Sequence, residues 1–297
     1  MKITLLQALF ITNTLIISGC SIGERPNNTK VASDNMNHQN HDQIVVNEQK
    51  EHSHSHEQHQ DNSPSNTQAK LTTPKNIAAN QATNLVINIQ DAGGKPVTKF
   101  DTFQEQNMHL IMVNDDLTFF QHLHPDYKNN GKFEVSAEFP NPGNYVLFSD
   151  YKPTGQPERV SILNLNVPGS IPLPKDLEKF TKSKTLSNTK VTLNTSPSNL
   201  RVGQEIKIGF DIKDRQSNQA VQDIKPYLGE KGHLVIIKSS SPLTKSDYIH
   251  AHALKNSPPG KVEFMTKFPH KGTYKMWMQF NFKGKVETAD FWVSVES

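Results

Sequence analysis

Lys132-Phe133-Glu134-Val135-Ser136-Ala137-Glu138-Phe139-Pro140-Asn141-Pro142-Gly143-Asn144-Tyr145-Val146-Leu147-Phe148 is the stretch whose reading decides the fold. Phe133, Val135, Ala137 and Phe139 occupy alternate positions, so in an extended chain they share one face and the polar residues the other. Asn141-Pro142-Gly143-Asn144 then turns the chain, since Pro presets one turn dihedral and Gly accepts a positive one, and Tyr145 begins a second strand.

The same grammar extends in both directions. Leu85, Ile87 and Ile89 alternate up to the turn cluster Asp91-Ala92-Gly93-Gly94-Lys95-Pro96. A strand His109-Leu110-Ile111-Met112-Val113 meets a turn at Asn114-Asp115-Asp116, residues 117–124 return and stop at Pro125, and residues 159–167 close the set. Short strands at this spacing, with no convincing amphipathic helix, predict an Ig-like β-sandwich.

The pattern occurs twice. Val97, Phe100, Phe103 and His109 correspond to Val221, Ile224, Tyr227 and His233, each 124 positions later. Phe139-Pro140-Asn141-Pro142-Gly143-Asn144-Tyr145 returns 129 positions later as Phe268-Pro269-His270-Lys271-Gly272-Thr273-Tyr274, which confines the insertion to the hairpin at 239–245. The expected fold is all-β: two tandem Ig-like β-sandwich domains, 81–168 and 188–297, joined by a connector at 169–187.

Residues 3–17 are mostly apolar after Lys2 and end in Ile17-Ser18-Gly19-Cys20, which resembles a bacterial lipobox. Residues 1–20 are therefore expected to be a signal peptide, with Cys20 lipidated to anchor the chain on the extracytoplasmic face of a membrane in the cell envelope. Cys20 is the only cysteine, so an intrachain disulfide is excluded. Residues 21–80 are polar and lack a sustained period, and are expected to be a disordered His-rich linker. A net charge of +3 without a Lys/Arg run speaks against nucleic acid.

Six histidines stand out within the modules. In a strand, His122 and His124 of Gln121-His122-Leu123-His124-Pro125 present two imidazoles on one face, and His109 lies on the neighbouring strand. His233, His250 and His252 repeat the set, predicting one three-His site in each module. Met108, at a strand entrance, is a candidate thioether ligand, whereas Met112, Met276 and Met278 read as core filling. Asp150 and Gln279 occupy corresponding places in aromatic strands, where each either orients a ligand His or faces solvent. In the linker, His38, His41, His52, His54, His56 and His59 form a loose metal-binding tract.

Met108-His109-Leu110-Ile111, His122-Leu123-His124-Pro125, Tyr227-Leu228-Gly229-Glu230-Lys231-Gly232-His233-Leu234 and the Phe-Pro-x-x-Gly-x-Tyr turns resemble those of bacterial secreted and lipid-anchored proteins with paired His-Leu-(Val/Ile) and His-x-His-Pro motifs. More distantly, the chain resembles YtkA-like and CopC-like Ig-type modules. The resemblance implies an envelope protein that buffers, resists or delivers a transition metal, copper favoured over zinc, and exchanges it with another envelope metal-handling protein. Ala253 replaces the Pro that follows the motif in the first copy. The alternative is a surface module binding protein or polymer, with structural histidines. No HExxH, Ser-His-Asp order or paired carboxylates stand near the motifs in sequence, so an enzyme is not expected.

Overall fold

The alternation of the sequence becomes pleated sheet with one wet face. In a computed structural model, which describes residues 66–173 and 179–297, β1 (Thr67–Thr72), β2 (Ala82–Asp91), β5 (Asp126–Tyr127) and β6 (Lys132–Glu138) form an antiparallel sheet in the order β1-β2-β6-β5. Its inner residues Leu85, Ile87, Ile89, Phe133 and Ala137 pack on a second sheet, β4-β3-β7-β8, made of β3 (Met108–Asn114), β4 (Phe120–Leu123), β7 (Gly143–Tyr151) and β8 (Arg159–Val167). This is the first sandwich. The second is built alike: β9 (Ser183–Thr185), β10 (Thr189–Ser196), β11 (Glu205–Asp214) and β14 (Lys261–Lys267) face β12 (His233–Lys238), β13 (Tyr248–His252), β15 (Gly272–Phe282) and β16 (Lys285–Val295).

The repeated turn motif has a physical reason. Tyr145 and Tyr274 donate their hydroxyls to the carbonyls of Asn141 and His270, at 2.8 and 2.7 Å, while each ring meets Phe139 or Phe268 edge-on at 4.8 Å. Gly143 and Gly272 supply φ of 141° and 135° at the entrance of the following strand. Phe, Gly and Tyr recur because the two rings and the glycine backbone together close the same corner.

Two strands lie where a linker was expected. β1, at Thr67–Thr72, falls in the 21–80 segment and completes the first outer sheet; β9, at Ser183–Thr185, falls in the connector. Both are short edge strands whose apolar residues are too few to set a period. Residues 1–65, including Cys20 and the six linker histidines, lie outside the described residues.

The sandwiches are not independent beads. Ile111, Val113, Val146 and Phe148 of the first pack with Val235, Ile237, Tyr248, Trp277 and Trp292 of the second in one apolar cluster. Phe120 stacks on Trp277 at 4.8 Å and Tyr248 on Phe148 at 4.8 Å, and the two pairs exchange under the repeat. The inner sheets are therefore covered on both faces, and β3, β7, β12 and β15 are buried almost continuously rather than alternately.

Candidate metal centre between the modules

The histidines sit on that shared face. On β3, Met108, Leu110 and Met112 point into the first core, so His109 must point the other way, toward the second module. This removes Met108 from the ligand candidates: it is fully buried among apolar side chains, and Gly232 occupies its place in the second copy. The expected first-module set is gathered, one ligand atom each of His109, His122 and His124 lying within 4.8 Å of the others, whereas in the second copy His250 groups with Asp150 and Glu158 rather than with His233 and His252. Because the inner faces oppose one another, the rings of the two sets lie side by side at the interface.

The rings of His109, His122, His233 and His250 stand together there. All six pairs of these rings have centroids between 5.2 and 6.3 Å apart. Imidazoles bound tetrahedrally to one ion at 2.0 to 2.1 Å would have centroids roughly 5.2 Å apart, so the rings stand slightly wider than that limit. His124 joins from the first module, 4.6 Å from His122 and 5.1 Å from His109.

The tautomers follow from the outer partners. His109 Nε2–H donates to Phe103 O at 3.2 Å and His233 Nε2–H to Tyr227 O at 2.9 Å, so both carry their lone pair on Nδ1. His122 Nδ1–H donates to Gln279 Oε1 at 2.8 Å, an amide orientation supported by Gln279 Nε2–H donating to Thr288 Oγ1 at 3.3 Å. His250 Nδ1–H donates to Asp150 Oδ2 at 3.2 Å. That leaves Nε2 of His122 and His250 as acceptors. His109 Nδ1 and His122 Nε2, two lone pairs, face each other across 2.9 Å, and His124 Nε2 is 3.2 Å from His122 Nε2. Neighbouring nitrogens on a tetrahedral ion stand about 3.3 Å apart. His233 Nδ1 and His250 Nε2 are buried with no hydrogen-bond partner. Donor atoms that face one another or nothing fit a cation better than they fit each other.

Burial first, then neighbouring imidazoles, lowers His109 to about 2; burial and His233 lower His124 to about 4, and His122 and His250 fall well below the usual range for the same kinds of reason. Burial also lowers His233. All five are thus neutral and able to coordinate. The His250–Asp150 contact is accordingly a hydrogen bond of a neutral imidazole, although the same distance would make an ion pair if the ring were charged.

His252 departs from its expected role. Its Nδ1 lies 3.3 Å from Glu230 Oε1 and 2.8 Å from the Gln104 amide; burial acts to lower it, but Glu230 outweighs burial and raises it. The ring stays 5.6 Å from that of His250, with its Nδ1 beside a carboxylate. Gln104 and Glu230 belong to matching tight turns, 103–106 and 227–230, whose central residues Gln104, Glu105, Leu228 and Gly229 all have positive φ. Only Gly229 hints at this geometry in the sequence.

Asp150 and Gln279 orient histidines, as one of the two expectations had it, but each reaches the other module's His-x-His strand. Glu158 was missed. It lies beside Asp150 and His250, with one atom of each within 4.8 Å of the others, so paired carboxylates do stand near the motifs in space. Their separation along β7 and β8 hid them.

Fold and site together define an all-β protein of two Ig-like sandwiches with a buried histidine cluster where they meet. The family model described as Domain of unknown function (DUF8832) matches residues 65–167 and 184–297, and the chain belongs to that family. No curated protein matches it in sequence. Among solved structures it is similar to the Yersinia pseudotuberculosis adhesin InvE, at 13% identity over 75% of this chain and 58% of that one, TM-score 0.24. It is also similar to invasin, a bacterial integrin-binding protein, at 12% identity over 75% and 39%, TM-score 0.22. A third is the S-layer protein SbsC, domains 4 and 5, at 11% identity over 77% and 98%, TM-score 0.21. The chain spans little more than half of InvE and less than half of invasin. The two-sandwich reading rests on the sheets themselves.

Proposed function

We propose that this is a metal-binding protein of the bacterial cell envelope, anchored through Cys20, which holds a transition-metal ion in the histidine cluster between its modules. The observation that carries the reading is that His109, His122 and His124 bring one ligand atom each within 4.8 Å of the others, while the N–H groups of His109, His122, His233 and His250 are engaged outward. Such outer partners fix ligand orientation and raise ligand basicity. With Met108 in the core, the donors are nitrogen, which suits Cu(II) and Zn(II) over Cu(I), and the general affinity order favours Cu(II). The role proposed is binding, in buffering or delivery, rather than turnover, with His109 and His233 0% exposed. His38, His41, His52, His54, His56 and His59 would capture ions loosely ahead of the cluster.

The test is metal retention after dialysis against a weak chelator. Replacing the six linker histidines by Ser in the full chain should lower total uptake and keep the tight class, whereas His122→Ala with His124→Ala should lose tight metal with the fold intact by circular dichroism. A linker-substituted chain that takes up neither Cu nor Zn at micromolar concentration would sink the reading and leave the surface-module alternative.

A further inference from the structure

The repeat aligns Asp150 with Gln279, and the registers of β7 with β8 and of β15 with β16 align Glu158 with Val286, so the second copy has no counterpart of the acidic pair. Gln279 and Val286 are neutral. Glu158 stands with Asp150 and His250. Asp150 is 0% exposed, its Oδ2 faces His250 Nδ1, and its carboxyl meets that of Glu158, so that with both ionised Oδ1 faces only another acceptor.

Two neighbouring carboxyls in such a place are costly as a pair of anions unless a proton or a metal cation joins them. Burial accordingly pushes Asp150 up to about 7, and burial with the Asp150 charge pushes Glu158 up to about 8. One imidazole nitrogen and two carboxylates make a harder set than the imidazoles next door, suited to a divalent ion such as Zn2+.

We propose that Asp150, Glu158 and His250 form a second cation site beside the nitrogen set, so that the inter-module centre holds two ions with the His250 ring between them. Nδ1 serves the carboxylate site and the unpartnered Nε2 serves the cluster. As the second ion takes Nδ1, the proton that this nitrogen shares with Asp150 leaves to solvent. The proposal rests on the reading of the cluster as a metal centre and adds a site of different chemistry to it.

The experiment uses the full chain with the six linker histidines replaced by Ser, loaded with Zn2+, dialysed against a weak chelator and analysed for zinc per chain. Two retained equivalents are expected, falling to one in Glu158→Gln and to one in the His122→Ala, His124→Ala variant. Should Glu158→Gln fail to fold by circular dichroism, Asp150→Asn is read in its place under the same criteria. A folded carboxyl variant that keeps the parental number overturns the second site. A parent with one equivalent, lost with His122 and His124 but not with Glu158, overturns it too and leaves the cluster standing. Loss of both equivalents in Glu158→Gln overturns the assignment of separate sites, and a parent that retains no zinc and no copper overturns both readings.

Discussion

The two ends of the histidine cluster are copies of one another and do different chemistry. At one end His122 is held by the Gln279 amide, and His109 and His124 approach it with nitrogen alone. At the other His250 is held by the Asp150 carboxylate, with Glu158 alongside and His252 drawn away to Glu230. The backbone positions match through the repeat, so the difference comes from the side chains: an amide against a carboxylate, and Glu158 where the other copy has Val286. Duplication supplied a symmetric frame, and substitution of the orienting residues made its halves unlike.

Both halves require the modules to stay docked, so the strongest perturbation should strike them together. Trp277→Ala removes the ring stacked on Phe120 and should cost about 3 to 5 kcal/mol in chemical denaturation, with loss of tight metal from both ends. Phe139→Ala, in the first core and away from the interface, should cost a similar amount while the folded fraction keeps its metal. Equal metal loss in the two folded variants would break the claim that the interface makes the site.

Removing an orienting residue should have a smaller effect. Gln279→Ala should weaken metal at the His122 end by roughly 10- to 100-fold, measured by chelator competition, because it frees the His122 ring to rotate and change tautomer. Asp150→Asn keeps an acceptor for His250 and should leave the His122 end nearly unchanged. If the two variants gave the same profile, the halves would be equivalent after all.

Acid sharpens the contrast further. Histidines buried neutral, with folded values lowered to about 2 at His109 and about 4 at His124, bind fewer protons folded than unfolded. Stability of the metal-free protein from this half is therefore full above pH about 6.5 and is lost as pH falls toward 4. Asp150 and Glu158 are raised to about 7 and 8, so their contribution has the opposite sign: it is full below pH about 4 and lost as pH rises through 7 to 8. The melting temperature of the metal-free chain should fall on the acid side, and Glu158→Gln should flatten the alkaline side alone. By contrast, Lys128→Ala, breaking a surface pair with Asp126 whose side chains are 43% and 77% exposed, should change nothing beyond about 1 kcal/mol and should leave metal untouched.

The chain sequence by itself determined the strands, the duplication and the identity of the histidines, because each depends on local spacing: alternation sets a face, Phe-Pro-x-x-Gly-x-Tyr closes a corner, and His-x-His puts two rings on one side of a strand. It also contained, unread, a sign of the docking: Leu110 to Val113 and Val146 to Phe148 lack the alternation of Leu85 to Ile89, as strands covered on both faces do. Only the tertiary structure decided that the two histidine sets lie against one another and that His250 groups with Asp150 and Glu158. Which face of β3 carries His109 is a local matter, but what lies across from that face is a second sandwich more than a hundred residues away in the chain. The same distance separates Asp150 from His250, His122 from Gln279, and Gln104 from His252. Contacts of that span leave no period in the sequence, since they are fixed by the packing of whole sheets rather than by the spacing of neighbours, and so the partners of each imidazole, and with them its tautomer, emerge only when the modules meet.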